Sequence, residues 1–276
     1  MTVSTIFRLT IRETQRRRIL WIGALMGMAF LIVFGLGFHF IYQDIVRHVS
    51  GEEILFPLRF LTLAGLYATN FLVVMVAVLI SVATISGEIE SHTIESLLTK
   101  PIGRWALIAG KWLGYAAIIL VFVLLLPGGV MLIVYLRSGF TLENIAAGLV
   151  LIYLEGLVAL SVSMAGGTRL STLANGALAF MLFGIAFIGG WVEQIGAILR
   201  NETAVDVGIL TSLIMPTEIL WKKASALFEP GLVSGFEFAG PFSVSSQPSD
   251  LMIAYAVVYI FILMLLALWL FSTRDL

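Results

Sequence analysis

The chain has 276 residues, of which 60% are hydrophobic and only 12% are charged, about half the charged fraction of soluble domains. This balance excludes a soluble enzyme and a disordered tail, and the net charge of -1 excludes a protein that binds nucleic acid through a basic field. Because the chain has no cysteine, disulfides, zinc–thiolate sites and cysteine catalysis are excluded as well. We predict an all-α integral membrane protein.

Six charge-poor apolar segments are long enough to cross a bilayer, which takes about 20 residues for a helix. The predicted spans cover approximately residues 19–41, 60–86, 106–136, 144–166, 170–192 and 251–273. The whole chain, residues 1–276, is thus predicted to form a single transmembrane domain with six transmembrane helices.

The first 18 residues combine apolar and basic side chains at helical spacing. The apolar positions are Val3, Ile6, Phe7 and Ile11, and the basic positions are Arg8, Arg12 and Arg16. This pattern predicts an N-terminal interfacial helix at the headgroup level, although a basic tail would also place arginines here. The following apolar run is too long for a cleavable signal peptide, so the first span is expected to remain in the protein.

The basic residues predict the orientation of the chain in the membrane. Arg16, Arg17 and Arg18 directly precede the first span, and an even number of spans places both termini on one side. Lysine and arginine are enriched in cytoplasmic segments. We therefore expect a multi-pass protein of the cytoplasmic (inner) membrane with both termini in the cytoplasm.

Two pairs of small residues in the spans have the spacing that allows helices to approach closely. Gly23 and Gly27 lie in the first span, and Ala186 and Gly190 lie in the fifth. Such pairs favour helix packing where lipid provides no hydrophobic driving force. They serve either packing within the chain or contact between two subunits.

Residues 86–104, between the second and third spans, are too long and too patterned for a simple turn. Glu88, His92 and Glu95 share one helical face at i, i+4 and i+7. The apolar positions of the segment are Ile89, Ile94, Leu97 and Leu98. Pro101 ends the helix. A short cytoplasmic helix with acidic and apolar sides is typical of docking in a partner's groove.

Glu155 is the single ionisable residue of the fourth span. It lies about 18 Å from Glu143 at the outer end, which is near the middle of the bilayer. A buried carboxyl group there is either part of a substrate path, a hydrogen-bond partner of another span, or part of a proton relay. No second buried carboxylate or arginine is evident in the sequence as a relay partner.

Residues 193–250 form the longest extracytoplasmic segment. Val207–Met215 is apolar but too short to span, and Pro216 follows it directly. The next stretch has an apolar helical face at Ile219, Leu220, Ala224 and Leu227, with Glu218, Lys222 and Lys223 on other faces. We predict two short helices at the outer surface, which act either as a lid over a substrate path or as a structural plug.

Sequence motifs provide no evidence for catalysis by this chain. The phosphate-binding motif GxxxxGK[ST] is missing, since Gly110 and Lys111 are followed by Trp112. The zinc motif HExxH is missing too, and the chain has only three histidines. We predict that the chain is not catalytic alone and binds no metal or cofactor itself.

Residues 87–111 resemble the loop signature of type-2 ABC exporter permeases. The shared positions are Gly87-Glu88, Thr93, Leu97-Leu98, Pro101, Arg104 and Gly110-Lys111, whereas the glycine usual before the threonine is His92 here. Leu213–Thr217 and the C-terminal stretch from Phe271 to Leu276 are also similar to the family. The family includes a nitrous-oxide-reductase maturation permease.

This resemblance implies the membrane subunit of an ATP-driven exporter. Two six-span subunits, identical or paralogous, would pair in the lipid bilayer above two copies of an ABC ATPase, which would bind ATP and Mg. Residues 86–104 would be the coupling helix, and residues 166–172 a smaller second contact. The residues predicted to contact the ATPase are Glu88, Glu90, His92, Glu95, Leu97, Leu98 and Arg104.

Two alternatives to the exporter remain open. The first is a proton-coupled secondary carrier that works alone. The second is a non-translocating membrane subunit that transmits the motion of an ATPase to an extracytoplasmic partner. The resemblance to type-2 ABC exporter permeases also implies that the first and fifth spans lie at the interface of the dimer.

Overall fold

The computed structural model describes residues 2–48, 51–90, 103–228 and 248–273, apart from the side chains of Glu52, Ile89 and Glu90. Within these ranges all regular secondary structure is helical. Six helical segments of the described chain are long and apolar enough to cross a membrane. The prediction of an all-α integral membrane protein with six spans is confirmed.

Ten α-helices and one 3-10 turn follow one another along the described chain. They are α1 Val3–Arg16, α2 Arg18–His48, the 3-10 turn Gly51–Ile54, α3 Leu55–Ser81, α4 Ser86–Glu90, α5 Arg104–Ser138, α6 Ile145–Gly167, α7 Thr172–Ile198, α8 Glu202–Ile214, α9 Thr217–Phe228 and α10 Asp250–Ser272. The candidate spans are α2, α3 continued through α4, α5, α6, α7 and α10. We call the two ends of the bundle the α1 end and the α9 end.

The fourth span, α6, lies at the centre of the bundle, in contact with α3, α5, α7, α9 and α10. Ile152, Val158 and Leu160 on this helix are fully buried. A helix that is enclosed on all sides has no need of a polar face, which explains why its sequence is mostly apolar all round. By contrast, most apolar side chains of α2 and α10 are exposed or only partly buried on the isolated chain.

The amphipathic segment at the N-terminus is helical, as predicted, and it packs against the start of α5. Gly110 and Gly114 of α5 permit this contact: a Cβ atom would lie 2.6 Å from Ile6 at the first position and 2.7 Å from Thr10 at the second. The buried side of α1 is formed by Ile6, Thr10 and Thr14. Both threonines satisfy their hydroxyl groups by donating to a carbonyl one turn earlier in α1.

The small residues in the first and fifth spans pack within the chain. A Cβ atom on Gly27 would lie 2.6 Å from Leu126 of α5, and one on Gly23 would lie 3.3 Å from Val76 of α3. Ala186 is fully buried, and a Cβ atom on Gly190 would lie 2.8 Å from Oε2 of Glu218 in α9. Packing inside one subunit is thus present for these pairs, and contact between two subunits stays a prediction.

Helices α8 and α9 meet at an angle of 107°. The break follows from Pro216, because the preceding residue is kept out of the helical region, and Met215 has φ -143° and ψ 107°. Two carbonyl groups near the break accept hydrogen bonds from α10: Tyr255 Oη donates to Leu213 over 2.5 Å, and Tyr259 Oη donates to Ile214 over 2.8 Å. A broken helix in an apolar environment requires such partners.

Removing both tyrosine hydroxyls should destabilise the junction of α8 and α9. We expect the double substitution Tyr255→Phe and Tyr259→Phe to lower the free energy of unfolding by about 1–3 kcal/mol, because two carbonyl groups lose their donors. Thermal unfolding in detergent measures this loss. Tyr135→Phe, at an exposed position on α5, is the matched control and should leave stability unchanged. Equal stability of all three proteins would contradict the role of these bonds.

Candidate functional site

The start of the predicted coupling segment is fixed to α5 by a buried ion pair. Nζ of Lys111 contacts Oε1 of Glu88, and both side chains are largely removed from solvent. The expectation that Glu88 contributes to an exposed acidic face is therefore wrong. The helical pattern gave no sign of this, because the partner lies 23 positions further along the chain.

Two segments predicted to contact an ATPase lie side by side at the α1 end. The hydroxyl groups of Ser86 and Thr172 are 2.9 Å apart. Asn175 of α7 reinforces the contact, since Nδ2 donates to the carbonyl of Val82 over 3.0 Å and to that of Ser163 over 2.8 Å. One amide group thus bridges the ends of α3 and α6 beside the 166–172 segment.

Arg104 holds the end of the last span. Nη1 donates to the carbonyls of Phe271 and Ser272 over 3.1 and 2.7 Å, and the guanidinium lies over the Phe271 ring. Arg169 assists by donating to Thr273 Oγ1 over 2.9 Å. A cation at a helix C-terminus satisfies free carbonyls and complements the helix dipole. Arg104 therefore has a structural role within the chain, and its predicted contact with an ATPase stays a prediction.

Most of the predicted docking face lies beyond the part of the chain that the structure describes. His92, Glu95, Leu97 and Leu98 lie outside the described residues, as does the side chain of Glu90. Their contact with an ATPase stays a prediction.

A second group of functional candidates lies in the interior of the bundle, around Glu155. This residue is about 15 Å from the start of α6 and is completely buried. Nδ2 of Asn70 in α3 donates to its Oε1 over 3.0 Å. Of the three roles considered for Glu155, a hydrogen bond to a neighbouring span is thus present.

Helices α7 and α9 bring three further charged groups to this region. Nζ of Lys222 lies 2.6 Å from Oε2 of Glu193 in α7. Glu218 is one turn before Lys222 on α9, and electrostatic repulsion acts between Glu218 and both Glu155 and Glu193. Glu193, Glu218 and Lys222 are all buried. With Asn70 and Glu155 they form what we call the buried polar cluster.

This cluster corrects two expectations from the sequence. Glu155 does have a second buried carboxyl group near it, namely Glu218. Glu218 and Lys222 do not lie on a polar face of an outer helix, because α9 is enclosed by α3, α6, α7 and α10. The spacing of an acid and a base at i and i+4 was visible in the sequence, but such pairs are far more common on exposed surfaces.

Aromatic side chains cover the cluster on the side of α3 and α7. The ring of Tyr67 lies 5.2 Å from that of Trp221 and 6.0 Å from that of Phe187. Nε1 of Trp191 donates to the Tyr67 hydroxyl over 3.0 Å. This apolar cover keeps water from the charges, which strengthens every electrostatic interaction among them.

The comparison with known families agrees with this architecture. Residues 5–276 match the family described as ABC-2 family transporter protein. The chain belongs to the ABC-2 transporter family. No curated protein matches the chain. As a member of the ABC-2 family it is a membrane component of a transport system.

Proposed function

We propose that this ABC-2 family protein is the membrane-spanning subunit of an ATP-driven exporter. It would form a dimer, with a second copy or a paralogue, and two copies of a separate ABC ATPase would bind the α1 end from the cytoplasm. The observation that carries the proposal is the match to the ABC-2 family over residues 5–276. The 276 residues contain no GxxxxGK[ST] motif, so we assign ATP hydrolysis to an ABC ATPase.

The geometry of the α1 end supports this proposal. The segment that begins at Ser86 and the loop before Thr172 converge there, so one partner surface could press on both. A displacement of the segment that begins at Ser86 would be transmitted to α5 through Glu88 and Lys111, and to α7 through Thr172. Buried contacts of this kind transmit displacement because packed interiors resist compression.

The contacts of α9, at the other end of the molecule, favour a structural plug over a lid for this segment. Helix α9 is enclosed by four helices, and the backbone N–H of Glu143 donates to the carbonyl of Phe228 over 3.1 Å. Nδ2 of Asn144 donates to the neighbouring carbonyl of Leu227 over 3.2 Å. A helix with capped carbonyls and no free face is built to stay in place, which suits a fixed outer closure of the transport path.

The coupling assignment is tested by placing a charge on the docking face. Leu97→Asp should abolish binding of the ATPase, because a carboxylate at the centre of an apolar contact is left desolvated. Copurification of the ATPase from native membranes and transport in vesicles measure the effect. Leu199→Asp is the control, since Leu199 is exposed at the α9 end. Normal ATPase binding together with normal transport in Leu97→Asp would overturn the assignment.

A further inference from the structure

Two polar atoms of the Asn70–Glu155 pair have no hydrogen-bond partner among the residues that the structure describes. They are Oδ1 of Asn70 and Oε2 of Glu155, and both lie in side chains that are at least nine-tenths buried. The remaining atoms of the pair are satisfied, since Nδ2 of Asn70 donates to Oε1 of Glu155. Buried polar atoms without partners are rare, and each calls for an explanation such as an ion or a proton.

A single proton accounts for both atoms. An ionised carboxylate only accepts hydrogen bonds, whereas a protonated carboxyl group can also donate one. An amide and a carboxylic acid have complementary edges, each with one donor and one acceptor. A proton on Oε2 would therefore give Oδ1 of Asn70 its donor while Oε1 keeps its bond from Nδ2.

The burial of Glu155 favours the same protonation state. Glu155 is completely buried, and Glu218 of α9 and Tyr67 of α3 are the titratable groups that interact with it. The ammonium group of Lys222 is already engaged by Glu193 of α7. An ionised Glu155 would thus be a buried charge with one amide donor, which is strongly unfavourable in an apolar interior.

We propose that Glu155 is a proton-binding site, at which the acid donates its proton from Oε2 to Oδ1 of Asn70 and closes an acid–amide ring between α3 and α6. The ring makes the centre of the domain uncharged. It also holds two spans together by two hydrogen bonds, one of which exists only while the proton is bound. This site involves no ATPase and is independent of the proposed function.

Infrared difference spectroscopy on the purified protein at neutral pH tests the proposal directly. The spectrum of the wild type minus that of Glu155→Gln should contain the C=O stretching band of a protonated carboxylic acid, shifted on exchange into D2O. Glu143→Gln is the matched control, because Glu143 is exposed and its difference spectrum should show carboxylate bands only. Carboxylate bands in place of the acid band for Glu155→Gln would overturn the proposal.

A second variant tests whether Asn70 is the hydrogen-bond partner of the protonated Glu155. Asn70→Leu removes the amide that donates to Oε1, so the acid band should persist but move to higher wavenumber as its carbonyl loses a hydrogen bond. The same variant should lower the melting temperature by roughly 3–10 °C, since two buried polar atoms lose their partners. Glu155→Gln should melt near the wild type, because an amide retains both a donor and an acceptor. An acid band unmoved by Asn70→Leu would show that Asn70 is not the partner.

Discussion

Replacement of Lys222 by methionine should lower the free energy of unfolding by about 3–5 kcal/mol, the usual cost of removing one partner from a buried ion pair. Methionine fills nearly the same space, so the loss is electrostatic rather than a packing defect. Glu193 would keep a buried charge without its cation, in a cluster that already holds Glu218 and Glu155. Unfolding in mixed micelles with a denaturing surfactant measures the effect.

The neighbouring lysine provides the matched control. Lys223 pairs with Asp250 over 2.9 Å, but the side chain of Asp250 is 90% exposed. Such a pair is worth about 0–1 kcal/mol, and the bond that Lys223 donates to the carbonyl of Pro248 over 3.0 Å is worth about 0.5–1.5 kcal/mol, so Lys223→Met should cost clearly less than Lys222→Met. Adding Glu193→Gln to Lys222→Met should recover part of the lost stability, because it removes the unpaired charge. Equal losses in the two lysine variants would contradict the assignment of a buried cluster.

Replacement of Lys111 by methionine is the second substitution with a large expected effect. It leaves Glu88 buried without the ammonium group, which again costs about 3–5 kcal/mol. The double variant Lys111→Met and Glu88→Gln carries neither charge and should be more stable than Lys111→Met alone. Glu13→Gln disrupts the more exposed pair with Arg17 and should cost about 0–1 kcal/mol.

Comparing Lys111→Met with the double variant also distinguishes the effect of the ion pair on stability from its effect on coupling to the ATPase. Under the proposed function, the double variant should fold but transport poorly, because the coupling segment has lost its attachment to α5. Transport by the double variant at the wild-type rate would show that the ion pair stabilises the fold without transmitting movement. ATPase activity of the assembled complex, measured alongside transport, distinguishes loss of docking from loss of transmission.

The buried pairs Asn70–Glu155 and Glu88–Lys111 both involve the second span. Asn70 lies in the middle of α3 and Glu88 lies in α4, which continues the same span beyond a turn at residues 82–85. About 27 Å of helix separates them at 1.5 Å per residue. The amide of Asn175 holds the intervening turn through the carbonyl of Val82. The span therefore connects the proposed coupling contact with the proposed proton site by a supported helix.

The sequence by itself determined the class of protein and the number of spans. Apolar runs of this length indicate segments that lie in lipid. Because lipid offers no hydrogen-bond partners, the backbone N–H and C=O groups of each segment must bond to one another in a helix. The amphipathic N-terminal helix and the break at Pro216 were also predictable, because both depend on local spacing or on the geometry of one residue. Glu155 was recognisable for a similar reason, since a carboxyl group is conspicuous in an apolar run.

Only the tertiary structure decided which charges are buried together. Glu88 pairs with Lys111 between α4 and α5, and Glu193 pairs with Lys222 between α7 and α9, so neither pair leaves a periodic signal in the chain. Lys222 and Lys223 are adjacent and chemically identical, yet one lies inside the bundle and the other reaches an exposed carboxylate. Local sequence sets the face of a helix on which a side chain lies, whereas the packing of the other helices sets whether that face meets water.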